Sequence, residues 1–255
     1  GPRLALARIR VCGQLCHPAA CRCPPMSLVV RHESVSWGEG TGRLRLAHLS
    51  DLHVKWSGGR LDAVRAILEE QRPDVVVFTG DWFDTPRGAE LSHAFLKHIA
   101  SKRPVCWISG NHDRWFGPEV LAPFYSVPGA VCVDDTPWTM EMEGDVRCEF
   151  ISWSAHLSTP LRAGIRRVVL IHNPEDLTVA NLSGCDLVLA GHLHGGQFIF
   201  HRARNGSLFP GNLLYRWCCD RRDVSGTSVI ISRGLGDTLP LRFCCPHEVV
   251  MIMVG

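Results

Sequence analysis

The feature that most constrains the fold is a repeated pattern of short apolar runs that each stop at Asp, Asn or His. Five such runs occur between residues 44 and 194, and glycine-rich polar segments follow several of them. Runs of this length predict buried β-strands, and ligand sites form beyond the carboxyl ends of parallel strands. We therefore expect the terminating side chains to meet at one edge. They are Asp51 and His53, Asp81 and Asp84, Asn111 and His112, His172, and His192 with His194.

The segments between these runs predict an α/β fold. Helical spacing covers residues 61–68, and further helices are predicted over residues 89–100 and 118–124. Residues 1–42 are irregular, basic and rich in cysteine, with one possible strand at 28–35, so we predict a single domain over residues 43–255. The predicted strands of that domain are 43–49, 74–78, 105–108, 130–133, 137–142, 147–152, 167–171, 187–190, 197–201, 227–232 and 247–253.

Bulk composition excludes several classes of protein. A formal net charge of +2 over 255 residues gives no electrostatic reason to expect a nucleic-acid partner, and nothing in the sequence indicates an obligate protein partner. No apolar run reaches the length of about 18 residues that a membrane-spanning helix needs. Gly1-Pro2 resembles the remnant of a cleaved tag, which leaves open a native anchor upstream. A zinc site is one interpretation of Cys12, Cys16, Cys21 and Cys23, although their spacing matches no familiar zinc knuckle.

The ligand types at the strand ends narrow the chemistry. Carboxylate, amide and imidazole groups without thiolate suit Mn²⁺, Fe²⁺ or Zn²⁺, whereas Ca²⁺ prefers oxygen ligands alone. The set is larger than one ion needs, so two ions that share a carboxylate are expected, an arrangement that suits in-line displacement at phosphorus. His192 and His194 are two residues apart, which lets an extended backbone aim both rings into one site.

In order, the motifs Asp51-Leu-His53, Gly80-Asp-Trp-Phe-Asp84, Gly110-Asn-His-Asp113, His172-Asn-Pro and Gly191-His-Leu-His194 resemble the full motif set of the calcineurin-like metallophosphoesterases. The resemblance covers about residues 44–255. It implies a four-layer α/β-β/α sandwich of two mixed sheets flanked by helices. It also implies hydrolysis of a phosphoric ester or anhydride by hydroxide at two divalent metal ions, with Mn²⁺ favoured and Fe²⁺ or Zn²⁺ as alternatives.

The resemblance assigns a role to each motif residue. Asp51, His53 and His194 would hold the first metal, and Asn111, His172 and His192 would hold the second. Asp81 would bridge the two ions. His112 would face the leaving-group oxygen, and Asp84 would orient that histidine. Asp113 is either a supporting or a purely structural residue.

The end of the chain suggests a branch of the family. Gly195-Gly-Gln197 and the segment 231–250 resemble the YkuE/YaeI-like branch, which includes the LpxG-type UDP-2,3-diacylglucosamine diphosphatases. This implies a lipid-nucleotide substrate cleaved to lipid X and UMP in lipid A biosynthesis, in the cytoplasm and peripheral to the inner membrane. The alternatives are a phosphodiesterase of the same mechanism with a soluble substrate and a non-catalytic scaffold on the same fold.

Other side chains are candidates for substrate contact. Trp56, Trp82 and Trp115 follow the metal motifs closely, so we expect them at the rim of the site, where they either meet acyl chains or pack the rim loops. The apolar segment 208–219 is expected to form part of a lipid-facing wall. Arg233 and Arg242 are candidates for binding the substrate phosphate, with surface salt bridges as the alternative.

Overall fold

A computed structural model describes residues 27–38, 42–142, 146–237 and 239–255. The N-terminal cysteines, and with them the zinc interpretation, lie outside these ranges. The described strands are β1 (Leu28–Val35), β2 (Leu44–Leu49), β3 (Val75–Phe78), β4 (Val105–Trp107), β5 (Ala130–Cys132), β6 (Trp138–Glu141), β7 (Arg147–Ser152), β8 (Ile165–Ile171), β9 (Leu187–Ala190), β10 (Ile199–Arg202), β11 (Leu208–Pro210), β12 (Arg221–Val224), β13 (Thr227–Ile231) and β14 (His247–Val254). The described helices are α1 (Leu61–Gln71), α2 (Pro86–Ala100), α3 (Asn111–Trp115), α4 (Pro118–Tyr125) and α5 (Trp153–His156).

Two six-stranded sheets carry the fold. The first has the order β1-β14-β2-β3-β4-β5, in which β14 runs antiparallel to β2 and the strands from β2 to β5 are parallel. The second has the order β12-β13-β9-β8-β7-β6, with antiparallel pairs at its two edges. Parallel neighbours therefore occupy the centre of both sheets, and their carboxyl ends form the edge at which the predicted site residues lie.

The apolar side chains form three layers. One lies between the first sheet and helices α1, α2 and α4, a second lies between the two sheets, and a third covers the outer face of the second sheet. The predicted sandwich of two mixed sheets flanked by helices is confirmed. On the second sheet the outer layer consists of α5, short 3₁₀ turns and the β10–β11 hairpin, because the chain there has no apolar segment of helical spacing and useful length.

Some elements differ from the sequence prediction. Strand β1 pairs with β14 along its whole length, so the described part of the N-terminal segment contributes an edge strand to the first sheet. The sequence prediction omitted α3, α5, β11 and β12, all of three to five residues, which are too short to show a period. None of the described helices has the length and hydropathy of a membrane-spanning helix.

Candidate metal centre

The strand ends bring the predicted ligands into one cluster. Three overlapping sets have side-chain ligand atoms within 4.8 Å of one another, and Asp81 belongs to two of them. Asp51, Asp81 and Asn111 follow strands β2, β3 and β4 of the first sheet. His172 follows β8 of the second sheet, and His192 and His194 follow β9. The sets are Asp51 with His53 and His194, His53 with Asp81 and His112, and Asp81 with His172 and His192.

The backbone of this cluster is strained. Asp51, His53 and Asp81 have φ values of 51°, 43° and 58°, and both histidines of the Gly-His-Leu-His motif also lie in the left-handed region. Such conformations are costly for residues with a Cβ atom and persist only where the surroundings impose them. The backbone N–H groups of Asp51 and His53 donate to the carbonyl groups of Gly80 and Asp81, so the first two motif loops hold each other in place.

Two motif glycines are required by close approach rather than by a turn. A Cβ atom at Gly110 would lie 2.1 Å from Oδ1 of Asp81, and one at Gly191 would lie 2.5 Å from Oδ2 of Asp51. Any side chain at these positions would displace a carboxylate of the cluster. The Gly-Asn-His-Asp motif therefore needs glycine to leave room for a ligand of the neighbouring strand, and the Gly-His-Leu-His motif needs it to leave room for a ligand of the other sheet.

Asp113 is structural. Its carboxylate accepts hydrogen bonds at 2.8 Å from the backbone N–H groups of Asp81, Trp82 and Gly110. Burial raises its pKa to about 6, and the nearby Asp81 adds to this effect. The Asp113 side chain holds the Gly110-Asn-His-Asp113 motif against the Gly80-Asp-Trp-Phe-Asp84 motif, and it contacts the cluster only through the backbone.

The lone-pair atoms around His172 are arranged to bind a cation. The Nδ1 atom lies 2.8 Å from the carbonyl oxygen of Thr79, to which it donates, so Nε2 presents a lone pair. That Nε2 atom faces Asn111 Oδ1 at 2.9 Å and Asp81 Oδ2 at 3.3 Å, two further acceptors. His192 Nδ1 lies 3.1 Å away from the same atom. Converging lone pairs need a positive charge among them, and a divalent ion satisfies this set.

When no metal is bound, protons supply the positive charge among the atoms around His172. Burial opposes ionisation of Asp81, but the hydrogen bond and charge of His172 outweigh it and lower the pKa of Asp81 to about 2. Burial also opposes a charged His172, yet the bond to Asp81 and the charges of Asp51 and Asp81 raise its pKa to about 9. The Asp81 and His172 pair therefore holds a proton even in the metal-free protein, whereas burial lowers the pKa of His194 to about 4.

A single carboxylate oxygen links the cluster to His112. Oδ1 of Asp84 lies 2.7 Å from Nδ1 of His53 and 2.7 Å from Nδ1 of His112, so it accepts from both rings. These bonds and the charges of the two rings hold the pKa of Asp84 well below its usual range, although burial opposes the shift. Trp115 covers His112, with ring centroids 4.2 Å apart.

An open cavity of about 460 Å³ lies beside the half of the cluster that contains Asn111, His172 and His192. Trp115 and Trp153 lie in its wall. The lining also contains the apolar side chains of Ile108, Leu170 and Ile171 and a set of polar groups, namely Ser109, Arg114, Asp134, Ser152, Ser154, Asn173 and Asp176. A phosphate at the cluster would thus have a groove of mixed polar and aromatic side chains on one side.

The aromatic and arginine candidates occupy different environments. Trp56 and Trp115 are exposed as expected, but the rim position predicted for Trp82 is wrong: its side chain is fully buried and stacks on Phe78 with centroids 3.7 Å apart. The second motif loop turns this residue inward, which its distance from Asp81 along the chain did not indicate. The segment 208–219 is mixed, since Trp217 is buried while Leu213 and Leu214 are exposed.

Both arginines are buried in ion pairs. The Nε and Nη2 atoms of Arg233 bind Asp220 at 2.7 and 2.6 Å, and Nη1 lies 3.4 Å from Glu248. This geometry favours a structural role over phosphate binding, and its pairs are buried rather than at the surface. Arg242 pairs with Asp237, and its Nη2 atom lies 3.2 Å from His194 Nδ1. Sequence spacing gave no sign of this contact between Arg242 and a predicted ligand.

Comparison with known proteins agrees with this geometry. The model of the calcineurin-like phosphoesterase family matches residues 44–196. The chain is 25% identical to the phosphodiesterase YaeI of Escherichia coli over 243 residues, which cover 88% of this chain and 87% of that protein. It is 26% identical to the uncharacterized metallophosphoesterase YkuE of Bacillus subtilis over 219 residues, with coverage of 80% and 75%. A solved Thermus thermophilus structure has the same fold, with a TM-score of 0.50, 12% identity and coverage of 76% and 91%.

Proposed function

The chain belongs to the calcineurin-like phosphoesterase family, and we propose that it is a two-metal hydrolase that cleaves a phosphodiester or phosphoric anhydride. The observation that carries this proposal is the position of Asp81 Oδ2, which lies 3.6 Å from Nε2 of His53 in one half of the cluster and 3.3 Å from Nε2 of His172 in the other. Asp51, His53 and His194 would hold one ion, and Asn111, His172 and His192 the other. Two divalent ions, with Mn²⁺ proposed, would supply a nucleophile at neutral pH and neutralise charge on the phosphoryl oxygens.

The proposed role of His112 follows from its contacts. Its Nδ1 atom is engaged by Asp84, so Nε2 is the nitrogen left to face a reacting oxygen. In the charged ring, Nε2 donates its proton to the leaving oxygen, while the Asp84 carboxylate holds the ring in one orientation and stabilises its charge. The backbone N–H of His112 donates to Asp81 Oδ1 at 2.9 Å, which fixes this residue relative to the shared carboxylate.

For the substrate, we propose a lipid-linked nucleotide, UDP-2,3-diacylglucosamine, cleaved to lipid X and UMP at the cytoplasmic side of the inner membrane. Two features support an amphiphilic substrate. The groove beside Asn111 offers polar groups and the Trp115 and Trp153 side chains to a nucleotide. Exposed apolar side chains near the turn that follows His194 offer a surface to acyl chains.

A soluble phosphodiester is the second candidate. The serine, asparagine and charged side chains in the lining of the groove would bind such a substrate, and YaeI carries the name phosphodiesterase. The two candidates are separated by the ratio of kcat/KM for the lipid nucleotide in mixed micelles to that for bis-p-nitrophenyl phosphate. A lipid nucleotide that is not cleaved faster than the chromogenic ester contradicts the lipid substrate.

The test of hydrolysis itself compares two variants. Asp81→Ala should abolish cleavage of bis-p-nitrophenyl phosphate and lower the bound metal measured by elemental analysis, because it removes a ligand from both ions. His112→Ala should keep its metal while kcat falls by about 10²–10⁴-fold. Equal metal loss in both variants would contradict the roles proposed, and unchanged activity in both would favour a non-catalytic scaffold.

A further inference from the structure

The exposed apolar side chains of this protein are concentrated in two short segments. Of the sixteen large apolar side chains that are exposed among the described residues, nine lie within residues 198–215 and 239–243. Scattered single residues of this kind need no explanation, but a contiguous group marks a surface that a membrane or another molecule covers. The nine are Phe198, Phe200, Phe209, Leu213, Leu214, Tyr215, Leu239, Leu241 and Phe243.

Backbone hydrogen bonds make these segments neighbours. The N–H of Ile199 donates to the carbonyl of Phe243, and the N–H of Phe243 donates to the carbonyl of Gln197. The rings of Phe200 and Phe243 are 5.3 Å apart, while Ile199 points inward, as strand alternation requires. The Gln197 amide donates to the carbonyl of Leu239 at 3.0 Å. Residues 198–200 and 239–243 thus form one surface.

The turn that carries Leu213 and Leu214 directly follows β11, which pairs with β10, the strand of Phe200. Gly211, at the start of the turn, packs so closely on Gly196 that a Cβ atom at Gly196 would lie 3.0 Å from the Gly211 Cα atom. Gly196 follows His194 by two residues. The apolar surface therefore borders the metal centre on the His194 side, whereas the groove with Trp115 and Trp153 borders the Asn111 side. We refer to the nine residues together as the rim surface.

The two segments that carry the rim surface contain arginine but no acidic residue. Neither residues 197–219 nor residues 239–247 contain Asp or Glu, although the whole chain has 25 acidic residues in 255. The exposed basic side chains here are Arg204 and Arg216. Glu175 lies beside the turn, but its carboxylate accepts from the backbone N–H groups of Arg216 and Trp217. Asp220 and Asp237, which flank the two segments, are paired with arginines. Apolar side chains in segments that contain arginine and no acidic residue are a composition that suits insertion among anionic headgroups.

We propose that the rim surface docks the protein on an anionic phospholipid bilayer, with Leu213 and Leu214 inserted below the headgroups and the metal centre facing the membrane. The inference deepens the lipid-substrate proposal, because a bilayer on this side would present a lipid headgroup to the cluster. Docking itself does not depend on hydrolysis, so it is tested without turnover.

The test is sedimentation of the 255-residue chain with vesicles of equal parts phosphatidylcholine and phosphatidylglycerol, compared with vesicles of phosphatidylcholine alone. Wild type should bind the mixed vesicles more strongly, and added salt should weaken that difference. Leu213 and Leu214 are 70% and 80% exposed, and their joint replacement by serine should reduce the partition coefficient by at least about tenfold, since two apolar side chains no longer leave water. Leu239→Ser with Leu241→Ser should act in the same direction.

The matched control is Leu157→Ser with Leu161→Ser, two leucines that are 54% and 55% exposed and outside the rim surface. This control should bind vesicles as wild type does, and all variants should cleave bis-p-nitrophenyl phosphate as wild type does, which shows that they fold. A wild type that does not sediment with the mixed vesicles, or a control that loses as much binding as Leu213→Ser with Leu214→Ser, overturns the proposal. So does a dimer in solution that the Leu213 and Leu214 variant abolishes, because the rim surface would then bind a second copy. Vesicle binding without cleavage of the lipid nucleotide would refute the lipid substrate and leave docking in place.

Discussion

The carboxylate of Asp84 should affect metal binding and leaving-group protonation separately, because one oxygen holds both His53 and His112. The informative change is Asp84→Asn, which keeps the shape and one acceptor oxygen but removes the charge. Hydrogen bonds to charged groups contribute about 1.5–3 kcal/mol, and neutral ones about half as much. Each of the two bonds should therefore weaken by about 1 kcal/mol, or roughly fivefold to tenfold in the property it supports.

Two assays separate the effects. Calorimetric titration with Mn²⁺ should show affinity lower by about tenfold or more, as is usual when the partner of a ligating histidine is lost. At saturating Mn²⁺, kcat for bis-p-nitrophenyl phosphate should fall by a further factor of about ten, since His112 loses its orienting charge. Asp62→Asn removes the same charge from an exposed site on α1 and should change neither value.

The double variant Asp84→Asn with His112→Ala gives the sharpest result. Its kcat at saturating metal should equal that of His112→Ala alone, because the effect of Asp84 on the rate passes through His112. Its Mn²⁺ affinity should equal that of Asp84→Asn alone. If Asp84→Asn lowers kcat by the same factor in the His112→Ala variant as it does in wild type, the proposed coupling is refuted. An unchanged Mn²⁺ affinity in Asp84→Asn would refute the proposed effect on metal binding.

Three further results are expected. Gly110→Ala should fold, by circular dichroism, yet lose about 10²-fold in kcat, since its Cβ atom would displace the Asp81 carboxylate; near-normal activity would contradict the close approach. Below about pH 9, Mn²⁺ should displace a proton from His172, whose pKa is raised to about 9 in the metal-free protein, so affinity should rise with pH and calorimetry in two buffers should detect proton release. Arg233→Met should reduce the free energy of unfolding by about 1–3 kcal/mol, because Asp220 keeps Arg202 and Glu248 keeps Arg31 but both lose their buried contacts with Arg233, and an altered KM at unchanged stability would instead favour phosphate binding.

The sequence predicted the strand ends well because parallel strands deliver their terminal residues to a common edge. Asp51, Asp81 and Asn111 follow three adjacent parallel strands, so their proximity follows from strand order alone. The contribution of His172 and His192 depends on how a second sheet packs against the first, which no local pattern encodes. The prediction for His172 and His192 rested on the resemblance of the ordered motifs to a known family, and not on the spacing of these residues.

The sequence also gave no sign of which side chains share a partner. Asp84 was predicted to orient His112, but its bond to His53 requires the second and first motif loops to cross, as the hydrogen bond from the His53 N–H to the Asp81 carbonyl shows. Arg233 and Arg242 were grouped by their neighbouring positions in the closing loop. The structure separates them, because Arg233 joins a buried ion-pair network with Asp220 while Arg242 reaches His194. Positions along a loop do not fix side-chain direction, so such assignments need coordinates.

The metal centre lies between two unlike surfaces, and this asymmetry limits the substrates that fit. The cavity beside Asn111 combines polar and charged groups with the Trp115 and Trp153 side chains, while the rim surface beside His194 consists of apolar side chains. A small soluble phosphodiester would use the first surface and leave the second exposed to water, at a cost in apolar hydration. A substrate with a polar group on one side of its phosphorus and an apolar group on the other would use both. The ratio of kcat/KM values for these two substrate types therefore also tests whether the two surfaces act together.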